Sequence, residues 1–180
     1  MIFENPQIET SQLPSVNDIE YKKLAPAYKQ VEYIATAIFF AFLLIGAVIA
    51  FYNVPPEHED ARSGIFIIWA VLFALSMYLA GKRYEMSGYA LREHDVIHKY
   101  GVWWRTVTVI PFNRMQHCEI SQGPVQNIFG LATLRVFTAG GNSSDMAIDG
   151  LEHEEAKRIK DFITEKIGSQ SAVFSRQSSV

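Results

Sequence analysis

Apolar residues are crowded into two long runs, and after the second run the spacing of apolar positions changes. Ile34 to Tyr52 reads "IATAIFFAFLLIGAVIAFY", 19 residues with no Asp, Glu, Lys, Arg or His. At about 1.5 Å per residue a helix over that run reaches about 28 Å, close to the hydrocarbon thickness of a bilayer. Ile65 to Ala80, "IFIIWAVLFALSMYLA", is a second run, 16 residues long between Gly64 and Gly81. Neither has the polar face of a helix that packs on a soluble core, so both are expected to span a membrane. The opening "MIFENPQIE" is acidic where a signal peptide needs positive charge, so no cleavage is expected.

Between Tyr84 and Ile167 the period shortens. The runs "DVIHKYG", "WRTVTVI", "QHCEISQ", "TLRVFTA" and "SDMAI" are rich in Val, Ile, Thr and aromatics and are separated by turn residues, the pattern of antiparallel strands. In the second of these, Thr106 and Thr108 alternate with Val107 and Val109, as in a sheet with one buried face. After Asp149-Gly150, "LEHEEAKRIKDFITEKIG" puts Ala156, Ile159, Ile163 and Ile167 on one helical stripe beside Phe162, with Gly168 as the expected C-cap. The expected fold is a two-helix transmembrane hairpin followed by a small, partly open antiparallel β-barrel capped by a C-terminal helix. The expected division is an N-terminal tail at 1–30, the hairpin at 31–83 with spans about 34–52 and 65–80, the soluble domain at 84–167, and a disordered tail at 168–180.

Charge sets the expected orientation. Lys22, Lys23 and Lys29 precede the first span and Lys82 and Arg83 follow the second, whereas the connecting loop "NVPPEHEDARS" holds Arg62 among three acids. The positive-inside rule then puts both termini in the cytoplasm, with the chain crossing the membrane twice. From Lys82 onward 12 Lys and Arg face 11 Asp and Glu, too even a balance for nucleic-acid binding.

Candidate chemistry is sparse. "NRMQHCEI" sets His117 beside Cys118, the one cysteine, but on a strand from Met115 to Gln122 the two side chains point to opposite faces. Cys118 then shares a face with Ile120 and packs inside, while His117 shares one with Glu119. His94 and His98 have helical metal spacing in an extended segment, which separates them by about 13 Å. The spans lack ionisable acids and bases, arguing against an ion pathway. Gly140-Gly141-Asn142 reads as a hairpin turn and not as a phosphate loop. The expectation is no enzyme, no cofactor and no metal.

The stretch "PFNRMQHCEISQGPVQNIFGLATL", with the following "TAGG" and "DGL", resembles the signature of the bacterial pleckstrin-homology-like (PH-like) domain of small YdbS-like membrane proteins. The matching residues include Pro111, Arg114, Gln116, Gly123, Pro124 and Gly130. The resemblance implies a PH-like barrel with a C-terminal helix at the inner face of the membrane, no enzyme, and a partner membrane protein with related domains. From the residues themselves, Pro111 is expected to end a strand, Gly123-Pro124 to turn the chain and Gly130 to allow a positive φ. Arg114 is either a structural fork or an anion or partner contact near the barrel mouth.

Two functions are consistent with these features. One is a non-enzymatic, membrane-tethered module that recruits or assembles envelope proteins through the aromatic tip Tyr100, Trp103 and Trp104, unless those indoles fill the barrel or anchor in the bilayer interface. The other reads anionic lipid headgroups through basic residues such as Arg105 and Arg114. Homo-oligomers are a further expectation, because Ala37, Ala41, Ala70 and Ala74 allow close helix approach, between copies or between the two spans.

Overall fold

The structure, a computed structural model, describes residues 19–55, 57–140 and 144–177. The short strand β1 (Lys22–Lys23) leads into helix α1 (Pro26–Asn53), which starts with Pro26 in its first turn, where a missing N–H costs nothing. Helix α2 (Glu59–Met86) returns antiparallel to it, with Glu59 and Asp60 at its N-terminus and Arg83 in its last turn, charges that complement the helix dipole. Each helix has 28 residues, about 42 Å, so the ends that carry Glu32 and Arg83 extend past the expected spans.

Aromatic rings hold the two helices together. Phe40, Trp69 and Phe73 form a cluster in which Trp69 stacks on Phe73 at 5.3 Å and donates its indole N–H to the Phe40 carbonyl at 3.1 Å. Ala41, Gly46, Ala70 and Ala74 are exposed, so this contact does not use the full stripe of small residues. Phe39, Phe42, Ile45, Ile49, Ile67, Ile68 and Val71 are bare as well, a surface that water would penalise and lipid would not.

The rest of the chain forms two antiparallel sheets. β1 continues through β2 (Gly88–Leu91) and β3 (Asp95–Tyr100) to β4 (Thr106–Pro111), in register Lys22↔Tyr89, Gly88↔Lys99 and His98↔Thr108. A 3₁₀ turn (Phe112–Arg114) leads to the second sheet, β5 (Met115–Ser121), β6 (Leu131–Thr138) and β7 (Met146–Glu152), with the short helix α3 (Pro124–Ile128) between β5 and β6. Helix α4 (His153–Gln177) lays Ala156, Ile159 and Ile163 on a core of Val96, Ile110, Phe112, Leu134, Val136, Ile148 and Leu151.

Several expectations change. The sheets remain separate, with no ladder closing them among the described residues, so the domain is PH-like without being a closed barrel. The expected tail to residue 30 gives way to order much earlier: Leu24 and Ala25 are buried, because the Ala25 N–H donates to the Gly150 carbonyl at 2.9 Å and ties this segment to β7. Residues 1–18 lie outside those described, as do Gly141 and Asn142 of the expected turn. Leu151 and Glu152 belong to β7 because they pair with Ala132 and Leu131, so the helix starts at His153. It continues past Gly168 to Gln177, through residues expected to be disordered. On β4 Val107 and Val109 are exposed, at 40% and 42%, as is Thr106, while Thr108 faces the cleft.

Candidate functional site

Where the helices meet the sheets there is a cleft of about 500 Å³. Tyr28 and Glu32 of α1, Arg83 of α2, His98 and Tyr100 of β3, Thr108 of β4, and Asp145 and Asp149 at β7 line it. Sequence position disperses these residues over more than a hundred places. Chain geometry gathers them: β2 starts directly after α2, and its first residue, Gly88, pairs with Lys99, which returns the end of β3 to the end of the helix.

The polar groups form a connected set. Tyr28 donates its hydroxyl to Glu32 at 2.9 Å, and Arg83 lies 3.5 Å from the other Glu32 oxygen. Asp149 Oδ1 accepts the Thr133 hydroxyl at 2.7 Å, and Thr133 in turn accepts from Gln126 at 3.1 Å, so the buried threonine is satisfied. Asp145 Oδ2 caps Thr138, taking its N–H at 2.8 Å and its hydroxyl at 2.6 Å. His98 is 5% exposed and stacks on Tyr100 with ring centres 5.0 Å apart. Its ring nitrogens make no hydrogen bond among the described residues. Burial pushes the imidazole down to about 4, partly opposed by the Asp149 carboxylate, so it is neutral at physiological pH.

Beyond the cleft the β3–β4 hairpin turns at Gly101, with φ +100, where a Cβ would meet the Trp104 carbonyl oxygen at 1.9 Å. This turn pushes Trp103 and Trp104 outward, 77% and 86% exposed, which removes the reading that they fill the interior. Tyr100 and Gly101 share the cleft with Arg83 and Ser87, so the tryptophan tip stands at the same end of the domain as the helix pair.

The basic candidates do not converge. Arg105 and Arg114 flank opposite ends of the six-residue strand β4, about 20 Å apart along the strand. Both are exposed. Arg92 is committed to Asp95 through two bonds of 2.6 and 2.5 Å, and Lys82 to Glu85. Lys22 bonds Glu155, which also accepts the Tyr89 hydroxyl at 2.7 Å.

A family model described as "Bacterial PH domain" matches residues 24–167. The chain belongs to that family. It is 29% identical over 134 residues to UPF0699 transmembrane protein YdbS of Bacillus subtilis (strain 168), covering 74% of this chain and 81% of the relative. It is also 28% identical over 104 residues to UPF0699 transmembrane protein YdbT of the same organism, 57% of this chain but 20% of that longer protein. No solved structure matches. The chain is thus a bacterial PH-domain membrane protein with two apolar helices.

In this bacterial PH domain the signature residues sit at joints. Pro111 is the last residue of β4, and Gln116 is exposed at a register shift between β5 and β6. Gly123 precedes α3 and donates its N–H to the Gln126 side chain at 3.0 Å, Pro124 is the first residue of that helix, and Gly130 has φ +65 just before β6. Cys118 is buried, and burial pushes its thiol up to about 11, while His117 stacks on Phe137 on the other face. Among the described residues no cluster of three or more His, Cys, Asp or Glu has metal-binding geometry.

Tyr28, Glu32, His98 and Asp149, which build the cleft, were missed as a set. In the sequence the spacing of His94 and His98 points only toward a metal, and Arg83 reads as one of the basic residues that flank the second span.

Proposed function

We propose that this chain is a non-enzymatic, membrane-anchored binding module that recruits or assembles other envelope proteins at the inner face of the bacterial plasma membrane, with both termini cytoplasmic. Its partner is a second membrane protein with related domains. The observation that carries this reading is the Trp103-Trp104 tip: two indoles this exposed cost free energy in water and match the aromatic anchors of protein interfaces. The match to one fifth of the longer YdbT is consistent with such domains occurring inside larger membrane proteins. Tethering raises the effective concentration of the tip near any partner in the same membrane, so a modest contact suffices. The exposed alanines of the helix pair leave a face for self-association as well.

The test is co-purification from membranes with the full-length chain. The double variant Trp103→Ala, Trp104→Ala should lose a PH-domain partner while its thermal midpoint stays unchanged, since exposed side chains contribute little to folding. Undiminished recovery of that partner would remove the tip from the interface.

A second reading, insertion of the tip into the bilayer interface, is favoured by its position at the helix-pair end of the domain. In a Trp69→Phe background, which removes the tryptophan of the apolar helix, quenching of Trp103 and Trp104 fluorescence by brominated lipid would select it. Reading of anionic headgroups has less support, given the separation of Arg105 from Arg114 and the ion pairs that occupy Arg92 and Lys82.

A further inference from the structure

The charged side chains that line the cleft are mostly acidic. Three carboxylates, Glu32, Asp145 and Asp149, face one guanidinium, Arg83, which already lies 3.5 Å from Glu32. Asp149 offers its second oxygen, since Oδ1 is the atom taken by Thr133. The Tyr28 hydroxyl spends its proton on Glu32 and keeps its lone pairs. His98, 95% buried by its 5% exposure, lines the same space without a hydrogen-bond partner among the described residues. Its ring nitrogens open onto the cavity, where a donor group can reach them. Stacking on Tyr100 holds the ring in place.

We infer that this cleft binds a primary ammonium group, the His98 nitrogen and the Asp149 carboxylate accepting its N–H bonds. An ammonium brings three donors and a positive charge, which is what the lining lacks. A phosphate or carboxylate would face the acids and gain only Arg83, so an anion is disfavoured. Such an amine reaches the cleft either as a small solute or as the headgroup of an ethanolamine lipid, because Arg83 and Ser87 at the end of α2 form part of the wall. The site adjoins the tip through Tyr100 and Gly101 but does not use Trp103 or Trp104.

The test uses the full-length chain with ¹⁵N-labelled histidine, His98 being assigned by its loss in His98→Gln. One arm titrates ethanolamine and glycerophosphoethanolamine into protein in an amine-free detergent; the other compares nanodiscs of phosphatidylethanolamine with nanodiscs of phosphatidylglycerol. A saturable shift of the His98 signal with the soluble amines identifies a solute site, and a shift confined to phosphatidylethanolamine discs identifies the lipid headgroup. Asp149→Asn should weaken the response at least tenfold, the loss of one charge-assisted hydrogen bond. If that variant does not fold, His98→Leu should abolish amine-induced thermal stabilisation while His98→Gln, which keeps an acceptor, retains part of it. Trp103→Ala, Trp104→Ala should leave the response intact. No His98 shift with any amine, an equal shift with phosphatidylglycerol, or undiminished binding by Asp149→Asn would overturn the assignment.

Discussion

Replacing Gly150 with alanine probes the joint that builds the cleft. Gly150 has φ +69, a conformation that costs an L-residue about 1–2 kcal/mol. A Cβ there would stand 2.3, 2.6 and 2.7 Å from Cγ, Cδ2 and Cβ of Tyr28, so the tyrosine must move and α1 with it. Overpacking of this kind costs about 1–3 kcal/mol, which brings the total to roughly 2–5 kcal/mol. For a chain of 180 residues each kcal/mol lowers the thermal midpoint by about 2–4 °C, so Gly150→Ala should melt at least about 4 °C below wild type. The assay is thermal unfolding of the full chain in one detergent. Adding Tyr28→Ala removes two of the three crowding atoms and leaves the Cβ at 2.7 Å, so in that background Gly150→Ala should cost less than in wild type but more than its backbone part of about 1–2 kcal/mol. A single variant within about 2 °C of wild type would refute both the backbone conformation and the docking of α1 on β7.

Two other predictions concern titrating groups. Cys118, with its thiol pushed from 9.0 to about 11 by burial, should react with maleimide at pH 8 roughly a hundredfold more slowly than after denaturation; equal rates would show an open thiol. His98 is neutral in the folded protein down to about pH 4, whereas the unfolded imidazole takes up a proton below about 6.5. Between those values the unfolded state binds more protons, so stability falls as pH drops, by at most about 1.4 kcal/mol per pH unit. The groups around it, Tyr28, Glu32, Arg83, Tyr100, Asp145 and Asp149, persist in His98→Gln, so that variant should lose this part of the pH slope and an unchanged slope would count against a buried neutral imidazole.

Elements with strong periodicity were legible in the sequence. The two apolar runs, the stripe Ala156, Ile159 and Ile163, and the split of His117 from Cys118 follow from side-chain spacing alone. Elements that depend on pairing were not. Lys22–Lys23 is a strand only because β2 lies beside it, and Leu151 continues β7 only because Ala132 is opposite. The threonine and valine alternation on β4 fixes the period but not which face is covered; the wall of the cleft took Thr108 and left Val107 bare. The cleft escaped for a related reason: Tyr28, Arg83, His98 and Asp149 are ordinary residues of four different elements, and only the return of β3 to the end of α2 unites them.

The most direct test of the proposed function is photo-crosslinking in living cells from p-benzoylphenylalanine placed at position 104 of the full-length chain. A protein adduct, identified by mass spectrometry as a membrane protein with a PH-like segment and lost when the probe moves to buried position 163, is the predicted result. Adducts with lipid alone would contradict docking of the tip on a partner and would make it a membrane anchor.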